Sequence, residues 1–293
     1  MHSSECTFRD QALNSTRKYR IFMSTNTLYF NIFMNWLAFF NQICDDKSVI
    51  YLLCLDAKVE RNLRDIGLNC SFTEIHDVSG YGKVHLWYLR AYLTRDLLSS
   101  GYDVLMTDSD SIWLSNPFPY LQRFRESHII SQRGVFPPDV SSKLGATLCM
   151  GFVYIKSDNL TIRFWNEMEL LLMTSKNADD QGQINRYFFL NGLRYGKVLG
   201  FLHTVESDTG KFIYTQGQRS IELFKLPAIN GTMIVTLLPH EFFRRICEGV
   251  NIKLILNSTV AHCKVPRFTV DTQQKYPDRG TAKMKELDSF SLW

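Results

Sequence analysis

The sequence predicts an α/β protein built on a largely parallel sheet with helices on both faces. Three observations carry that prediction. Through the first hundred or so residues, short apolar runs and helical stretches alternate in the order strand, helix, strand, helix, strand, helix, strand. The fourth strand, Val104-Leu105-Met106, leads into two carboxylates, Asp108 and Asp110; open α/β sheets place their ligands at the C-terminal ends of strands. Finally, 293 residues with an apolar fraction of 45% suffice for one substantial core.

Residues 18–23 form the first expected strand, with Ser24-Thr25-Asn26 as the loop at its end. Residues 31–43 carry Ile32, Trp36, Phe39, Phe40 and Ile43 at helical spacing. A second buried strand over 48–55 is closed by Asp56, and a short helix over 59–66 stops at Gly67. Residues 72–78 give a third strand. Residues 82–100 read as a long helix with Leu86, Leu89, Leu93, Leu97 and Leu98 on one side, ended by Gly101. Lys83 and Arg90 share a face of that helix. Lys83 is expected in solvent, whereas Arg90 sits among apolar residues and needs an anion, either a phosphate or an aspartate. Beyond the Asp-x-Asp strand, 121–127 is expected as a short helix and 133–145, with Pro137-Pro138, as an irregular excursion. Residues 146–155 form a strand containing Gly151, which marks either close approach by a ligand or a bulge. Residues 160–173 form an amphipathic helix; 237–243 and 252–256 are short apolar pieces. His262 ends a β-like run, and 283–293 is a short terminal helix.

Residues i and i+2 of an extended segment point the same way, so Asp108 and Asp110 repel unless a cation stands beside them. Three readings compete: a solvated turn or helix cap, a phosphatase nucleophile of the haloacid-dehalogenase type, and a metal and nucleotide-sugar site. The phosphatase motif belongs near the start of its domain, and here about a hundred residues of α/β pattern precede it. A hard divalent cation carrying a ligand's phosphates fits two carboxylates, because Mg²⁺ and Mn²⁺ prefer oxygen donors. Asp179, Asp180 and Gln181 either cap a helix or, in the case of Asp180 and Gln181, hydrogen-bond sugar hydroxyls. His262 alone is a packed or exposed histidine; gathered with Asp108 and Asp110 it completes a donor set suited to Mn²⁺.

A net charge of +4 is too small and too scattered for nucleic acid. The seven cysteines show neither CxxC nor zinc spacing, and an odd count leaves at least one unpaired. Most are expected as buried small hydrophobes. Sequons at Asn14, Asn69, Asn159, Asn230 and Asn257 lean towards the secretory lumen. Residues 1–20 have no apolar signal region, and residues 21–44, although uncharged, are interrupted by polar side chains at every turn. Residues 1–17 are expected as a stem or disordered segment, and 18–293 as one domain.

The landmarks in order are Asn26-x-x-Tyr29, Asn35-Trp36, Leu55-Asp56, the block from Gly101 through Asp108-Ser109-Asp110 to Pro117, Gly151-Phe-Val-Tyr154, Trp165, Asp180-Gln181-x-x-x-Asn185, His262, Gly280-x-x-Lys283 and Leu292-Trp293. This ordered set, over residues 20–293, resembles the nucleotide-diphospho-sugar transferase family that includes plant pectin xylosyltransferases and extensin arabinosyltransferases. The resemblance implies a GT-A, Rossmann-like fold and retaining transfer from a nucleotide sugar, usually a UDP-sugar, to a glycan or glycoprotein, with Mn²⁺ or Mg²⁺. It implies Asp108, Asp110 and His262 as metal ligands, with Ser109 in the same donor-binding motif. Gly280 and Lys283 would face the diphosphate, Asp180 and Gln181 would line the sugar subsite, and Thr25 and Asn26 would touch the nucleoside. Arg90 joins the donor-binding set. It further implies a Golgi or ER lumenal protein whose membrane anchor is not among these residues. Two departures stand out: Cys149 replaces a family asparagine, and a long stretch between His262 and Gly280 leaves Lys264 open beside Lys283. A catalytically degenerate binding module is the alternative, with the phosphatase a distant third.

Overall fold

The computed structural model describes residues 8–10, 15–44, 46–74, 81–175, 179–191, 202–207, 210–215, 222–227, 232–245, 247, 250–263, 279–289 and 292. The first four strands of its main sheet are Tyr19–Thr25 (β1), Ile50–Cys54 (β2), Ser71–Phe72 (β3) and Asp103–Thr107 (β4). Four more follow in chain order: Ile129–Gly134 (β5), Thr147–Ile155 (β6), Glu222–Pro227 (β7) and Thr232–Leu238 (β8). The sheet runs β3-β2-β1-β4-β6-β5-β8-β7. β6 lies antiparallel to β4 and β5, and β7 antiparallel to β8, while the other neighbours pair in parallel. The sheet is mostly parallel, as the sequence leads one to expect, with the Asp-x-Asp segment leaving the C-terminal end of β4.

The helices are Phe30–Ile43 (α1), Ala57–Asp65 (α2), Tyr81–Ser99 (α3), Pro138–Leu144 (α4), Asn159–Thr174 (α5), Asp180–Leu190 (α6) and Arg279–Ser289 (α7). Because strand side chains alternate, β1 feeds two cores. Ile21 and Met23 join Trp36 and Phe40 of α1 and Val59 and Leu63 of α2 on one face. Phe22 joins Leu97 and Leu98 of α3, Phe164 and Trp165 of α5 and Phe188 of α6 on the other. Each such side chain contributes about 1.5–3 kcal/mol by leaving water. Helices therefore cover both faces, as the periodicity predicts. Trp113, fully buried, packs edge-on against Trp36, Phe40, Phe118 and Phe152. That cluster pins the chain three residues after Asp110.

Several expected boundaries move, each for a local reason. Ser24 and Thr25 pair with Leu53 and Cys54, so they belong to β1 rather than to a loop. The helix expected over 121–127 starts earlier, as Phe118–Leu121 and a 3-10 turn Gln122–Phe124, because Asn116 Oδ1 accepts from Phe118 N at 3.0 Å. Residues 133–145 are not irregular: Arg133 and Gly134 finish β5 and α4 follows. Pro138 suits a first helical turn, and Gly145, at φ +84, ends the helix. Of the strand expected over 72–78 only Ser71–Phe72 pairs, with 75–78 outside the described residues. The terminal helix begins at Arg279. Within 1–17, Phe8–Asp10 and Ser15–Arg17 pair as an antiparallel hairpin. The side chain of Lys83 lies outside the described residues.

Most cysteines are not simply buried small hydrophobes as expected, although one is unpaired, as the odd count requires. Cys54 bonds Cys70, Cys247 bonds Cys263, and Cys44 is also disulfide-bonded. Among the described residues only Cys149 is free. Spacing alone does not reveal connectivity, because pairs close by folding rather than by sequence. Each sixteen-residue bridge is worth about 3 kcal/mol in the chain-entropy picture. The second fixes Cys263, next to His262.

Candidate active site

The two aspartates converge, but not as an extended pair. After Thr107 the chain turns: Asp108 N donates to Gly151 O at 2.9 Å and Ser111 N closes the turn on Asp108 O at 3.0 Å. Ser109, between the two aspartates in sequence, is buried. What draws the carboxylates together is a small three-stranded sheet in which Ile112–Trp113 pairs antiparallel with Val260–Ala261, which pairs in parallel with Phe243–Arg244. Ala261 lies opposite Ile112, so the next residue, His262, arrives beside the Asp-x-Asp turn. His262 Nε2 stands 3.1 Å from Asp110 Oδ1 and 3.8 Å from Asp108 Oδ2.

Gly151 is the floor of this cluster. A Cβ there would lie 2.0 Å from His262 Cε1 and 2.7 Å from Asp108 Oδ2. The glycine therefore marks close approach by protein side chains, in a stretch where the β5–β6 register shifts between Ser131 and Gln132.

Cations balance the carboxylates. Lys283 Nζ, buried, reaches Asp110 Oδ2 at 2.9 Å and donates to Cys263 O at 2.6 Å. Gly280, one turn earlier on the same face of α7, is buried as well. Lys264, the other lysine considered, lies outside the described residues. Burial would push the Asp110 carboxyl up, but Lys283 and His262 outweigh it and hold it well below the usual carboxylate range. Burial and Arg245 push the His262 imidazole down, yet Asp110 and Cys149 lift it to about 9.

Arg90 meets aspartates, one of the two partners its position demanded. Its Nη1 lies 3.4 Å from Asp108 Oδ1 and its Nε 3.1 Å from Asp180 Oδ2. Asp179 caps α6 by accepting from Gly182 N at 2.6 Å, which leaves Asp180 facing Arg90. Gln181 is engaged at both ends of its amide: Oε1 accepts from Met150 N at 3.1 Å and Nε2 donates to Phe136 O at 3.1 Å. Asn185 similarly brackets Leu148, accepting at 2.8 Å and donating at 3.0 Å. Thr25 and Asn26 stand at the same sheet edge as the Asp-x-Asp turn, since β1 and β4 run in parallel with Phe22 beside Met106. Asn26 Oδ1 accepts from Tyr29 N at 3.0 Å, shaping that loop.

Burial pushes the Asp180 carboxyl up; Arg90 opposes this, Asp179 and Asp108 add to it, and the result is about 6 against an ordinary 3.8. The folded protein thus binds this proton more tightly than the unfolded chain does. Asp180 costs stability above pH ~6, and the cost fades towards pH ~4. A rise of that size corresponds to about 3 kcal/mol. Asp180→Asn is therefore expected to be more stable than wild type at pH 7.5 and to match it near pH ~4. Urea midpoints at both pH values check this; a variant less stable at pH 7.5 contradicts it.

The donor set fits a divalent cation. One ligand atom from each of Asp108, Asp110 and His262 lies within 4.8 Å of the others. Two ligands bound at ~2.1 Å can stand at most ~4.2 Å apart, and both histidine-to-carboxylate distances fall below that. Two oxygens and an imidazole nitrogen suit Mn²⁺. Sequence reasoning missed Gln132, buried behind His262; the available signal was a glutamine inside a fully buried strand.

A family model described as nucleotide-diphospho-sugar transferase matches residues 48–236, which excludes His262 and Lys283. The chain is 23% identical over 241 residues to arabinosyltransferase XEG113 of Arabidopsis thaliana, covering 76% of this chain and 32% of that protein. It is 25% identical over 181 residues to the UDP-galactose:fucoside alpha-3-galactosyltransferase of Dictyostelium discoideum, covering 50% and 27%. The chain thus spans about a third or less of the length of these curated relatives. Among solved structures, mouse xyloside xylosyltransferase 1 aligns with a TM-score of 0.41 at 9% identity, covering 59% of this chain and 82% of that one.

Proposed function

This chain belongs to the nucleotide-diphospho-sugar transferase family, and on that premise we propose that it is a retaining, metal-dependent glycosyltransferase. It would move a sugar from a UDP-sugar to a glycan or glycoprotein acceptor, with residues 18–293 as one catalytic domain. One observation carries the reading: Asp108, Asp110, His262 and Lys283, from three separated stretches of chain, meet at the end of β4 in a charge-balanced cluster. The name of the Dictyostelium relative supports UDP, and the two relatives' names support a hexose and a pentose alike.

Asp108, Asp110 and His262 would hold Mn²⁺ or Mg²⁺. Such an ion neutralises negative charge on a departing diphosphate. Lys283, already paired to Asp110, would add a fixed positive charge for the same diphosphate, with Gly280 on the same helix face beside it. Ser109 and Arg90 complete the donor contacts, and Thr25 and Asn26 meet the nucleoside. Breaking the anomeric bond makes an oxocarbenium-like centre, which a carboxylate stabilises. Asp180 is our candidate for that role, with Gln181 as the wall of the sugar subsite. Five sequons and, among the described residues, five disulfide-bonded cysteines support a Golgi or ER lumenal site of action. No helix among the described residues is long and apolar enough to cross a membrane.

Thermal unfolding with UDP and Mn²⁺, against UDP and EDTA, tests the reading. Ligand at a hundred times Kd adds about 2.7 kcal/mol to the folded state, a rise of several degrees. A metal-dependent rise is expected, followed by UDP release from at least one of a panel of UDP-sugars. A folded sample that shifts with neither UDP, GDP nor CDP sinks the transferase reading and favours a binding module.

A further inference from the structure

Gln132 lies on β5, fully buried, directly behind the imidazole of His262. Its Nε2 donates to Arg244 O at 2.8 Å, and the same carbonyl accepts from His262 N at 2.8 Å. One carbonyl therefore anchors both the glutamine side chain and the histidine backbone. A carbonyl can only accept, so it fixes which end of the Gln132 amide is the nitrogen. The other end, Oε1, faces His262 Nδ1 at 3.1 Å. An amide oxygen also only accepts, so Nδ1 must carry the hydrogen. In the neutral ring the lone pair then falls on Nε2, the atom beside Asp108 and Asp110.

We propose that Gln132 is a positioning residue that locks His262 in the Nδ1–H tautomer and so presents Nε2 to a divalent cation. The inference rests on the metal-binding reading of the Asp108–Asp110–His262 cluster. One competitor stands nearby: Cys149 Sγ is 3.6 Å from the same Nδ1. A thiol donating to Nδ1 would enforce the opposite tautomer and set the Gln132 oxygen against a lone pair. Gln132 prevails because its acceptor is nearer and its orientation is fixed by a second bond, whereas sulfur is a weak partner. Outer-shell partners of this kind typically set metal affinity by ten- to a hundredfold.

The test is titration with Mn²⁺ in the presence of UDP, reading free Mn²⁺ by electron paramagnetic resonance, with unfolding temperature as a check on folding. Gln132→Met, of similar volume but without a strong acceptor, is expected to raise the Mn²⁺ Kd by about ten- to a hundredfold. Gln132→Glu keeps an acceptor towards Nδ1 but sets its second oxygen against the Arg244 carbonyl, so its Kd is expected to fall between those of wild type and Gln132→Met, whereas Cys149→Ser is expected to stay within about threefold of wild type. A Gln132→Met protein that binds Mn²⁺ as wild type does overturns the role of Gln132 and leaves the metal site standing. So does a loss confined to Cys149→Ser. Wild-type protein that binds no Mn²⁺ overturns both. A measurement without substitutions guards against misfolded variants: histidine-labelled wild type loaded with Cd²⁺ should show a proton bonded to His262 Nδ1, and its absence overturns the proposal.

Discussion

Asp110→Asn is expected to cut kcat/KM for turnover of the accepted UDP-sugar by about a thousandfold or more, the scale seen when a group that stabilises developing charge is lost. Asparagine keeps the shape of the side chain and removes its charge. Asp110 Oδ1 stands 3.1 Å from His262 Nε2, and its Oδ2 accepts from Lys283 Nζ at 2.9 Å. Without it, Asp108 is the remaining carboxylate of the metal cluster, and the buried Lys283 loses its ion pair with Asp110. The site should then hold a divalent cation less tightly. Leaving one partner of a buried pair uncompensated costs about 3–5 kcal/mol, so the unfolding temperature should also fall by several degrees. The pH dependence separates the two effects. A depressed folded-state carboxyl contributes stability at neutral pH that is lost as pH falls through and below the ordinary carboxylate range. The gap between wild type and Asp110→Asn should therefore narrow on acidification. Activity is measured at a temperature where circular dichroism shows the variant folded. Near-wild-type turnover in a folded Asp110→Asn protein would remove Asp110 from the mechanism.

How much of this was legible in the chain depends on the range over which each feature is encoded. The helices α1, α3 and α5 and strands β1, β2 and β4 follow from local periodicity, whereas the short helices Phe118–Leu121 and α4 are set by Asn116 and by Pro138 and Gly145. Strand direction is not local: nothing in the apolar run 146–155 says that β6 lies antiparallel between β4 and β5. The site divides in the same way. Asp108-x-Asp110 announces itself, although its carboxylates converge through a turn rather than through extended geometry. His262 reaches them through two-residue strands, Ile112–Trp113 and Val260–Ala261, which are too short to carry any period. Its place at the end of a β-like run left it one candidate among ordinary packed histidines, and the ordered family landmarks singled it out. Lys283 had a rival in Lys264 until the fold put its ammonium on Asp110. Gln132 carries no more than the weak signal of a glutamine within a buried strand, and the disulfide pairing has no local signature, because both partnerships exist only once the fold brings separate segments together.

At the opposite end of β4 from the Asp-x-Asp turn, Asp103→Ala is expected to destabilise the protein by about 3–5 kcal/mol, the usual penalty for removing one member of a buried ion pair. Asp103 is fully buried. Its oxygens accept from Arg17 Nε at 2.5 Å, from Arg17 Nη2 at 2.6 Å and from Ser157 N at 2.7 Å, and the Tyr154 hydroxyl donates to it as well. One carboxylate thus ties together the hairpin strand ending at Arg17, the end of β6 and the chain entering α5. Burial, and then the Asp103 charge, hold the Tyr154 hydroxyl well above its ordinary range, so it remains a donor at any working pH. Alanine accepts none of these bonds. The Arg17 side chain is 21% exposed and can recover some water, which favours the lower end of the range. For a chain of this size about 3 kcal/mol lowers the unfolding temperature by roughly 6–10 °C. Binding should not follow. Five residues of strand, roughly 16 Å, separate Asp103 from Asp108, so Mn²⁺ and UDP affinity measured well below the unfolding transition should match wild type. A variant that loses affinity while folded would show that the two ends of β4 are coupled, whereas one with unchanged unfolding temperature would mean the Arg17–Asp103 pair carries no net stability.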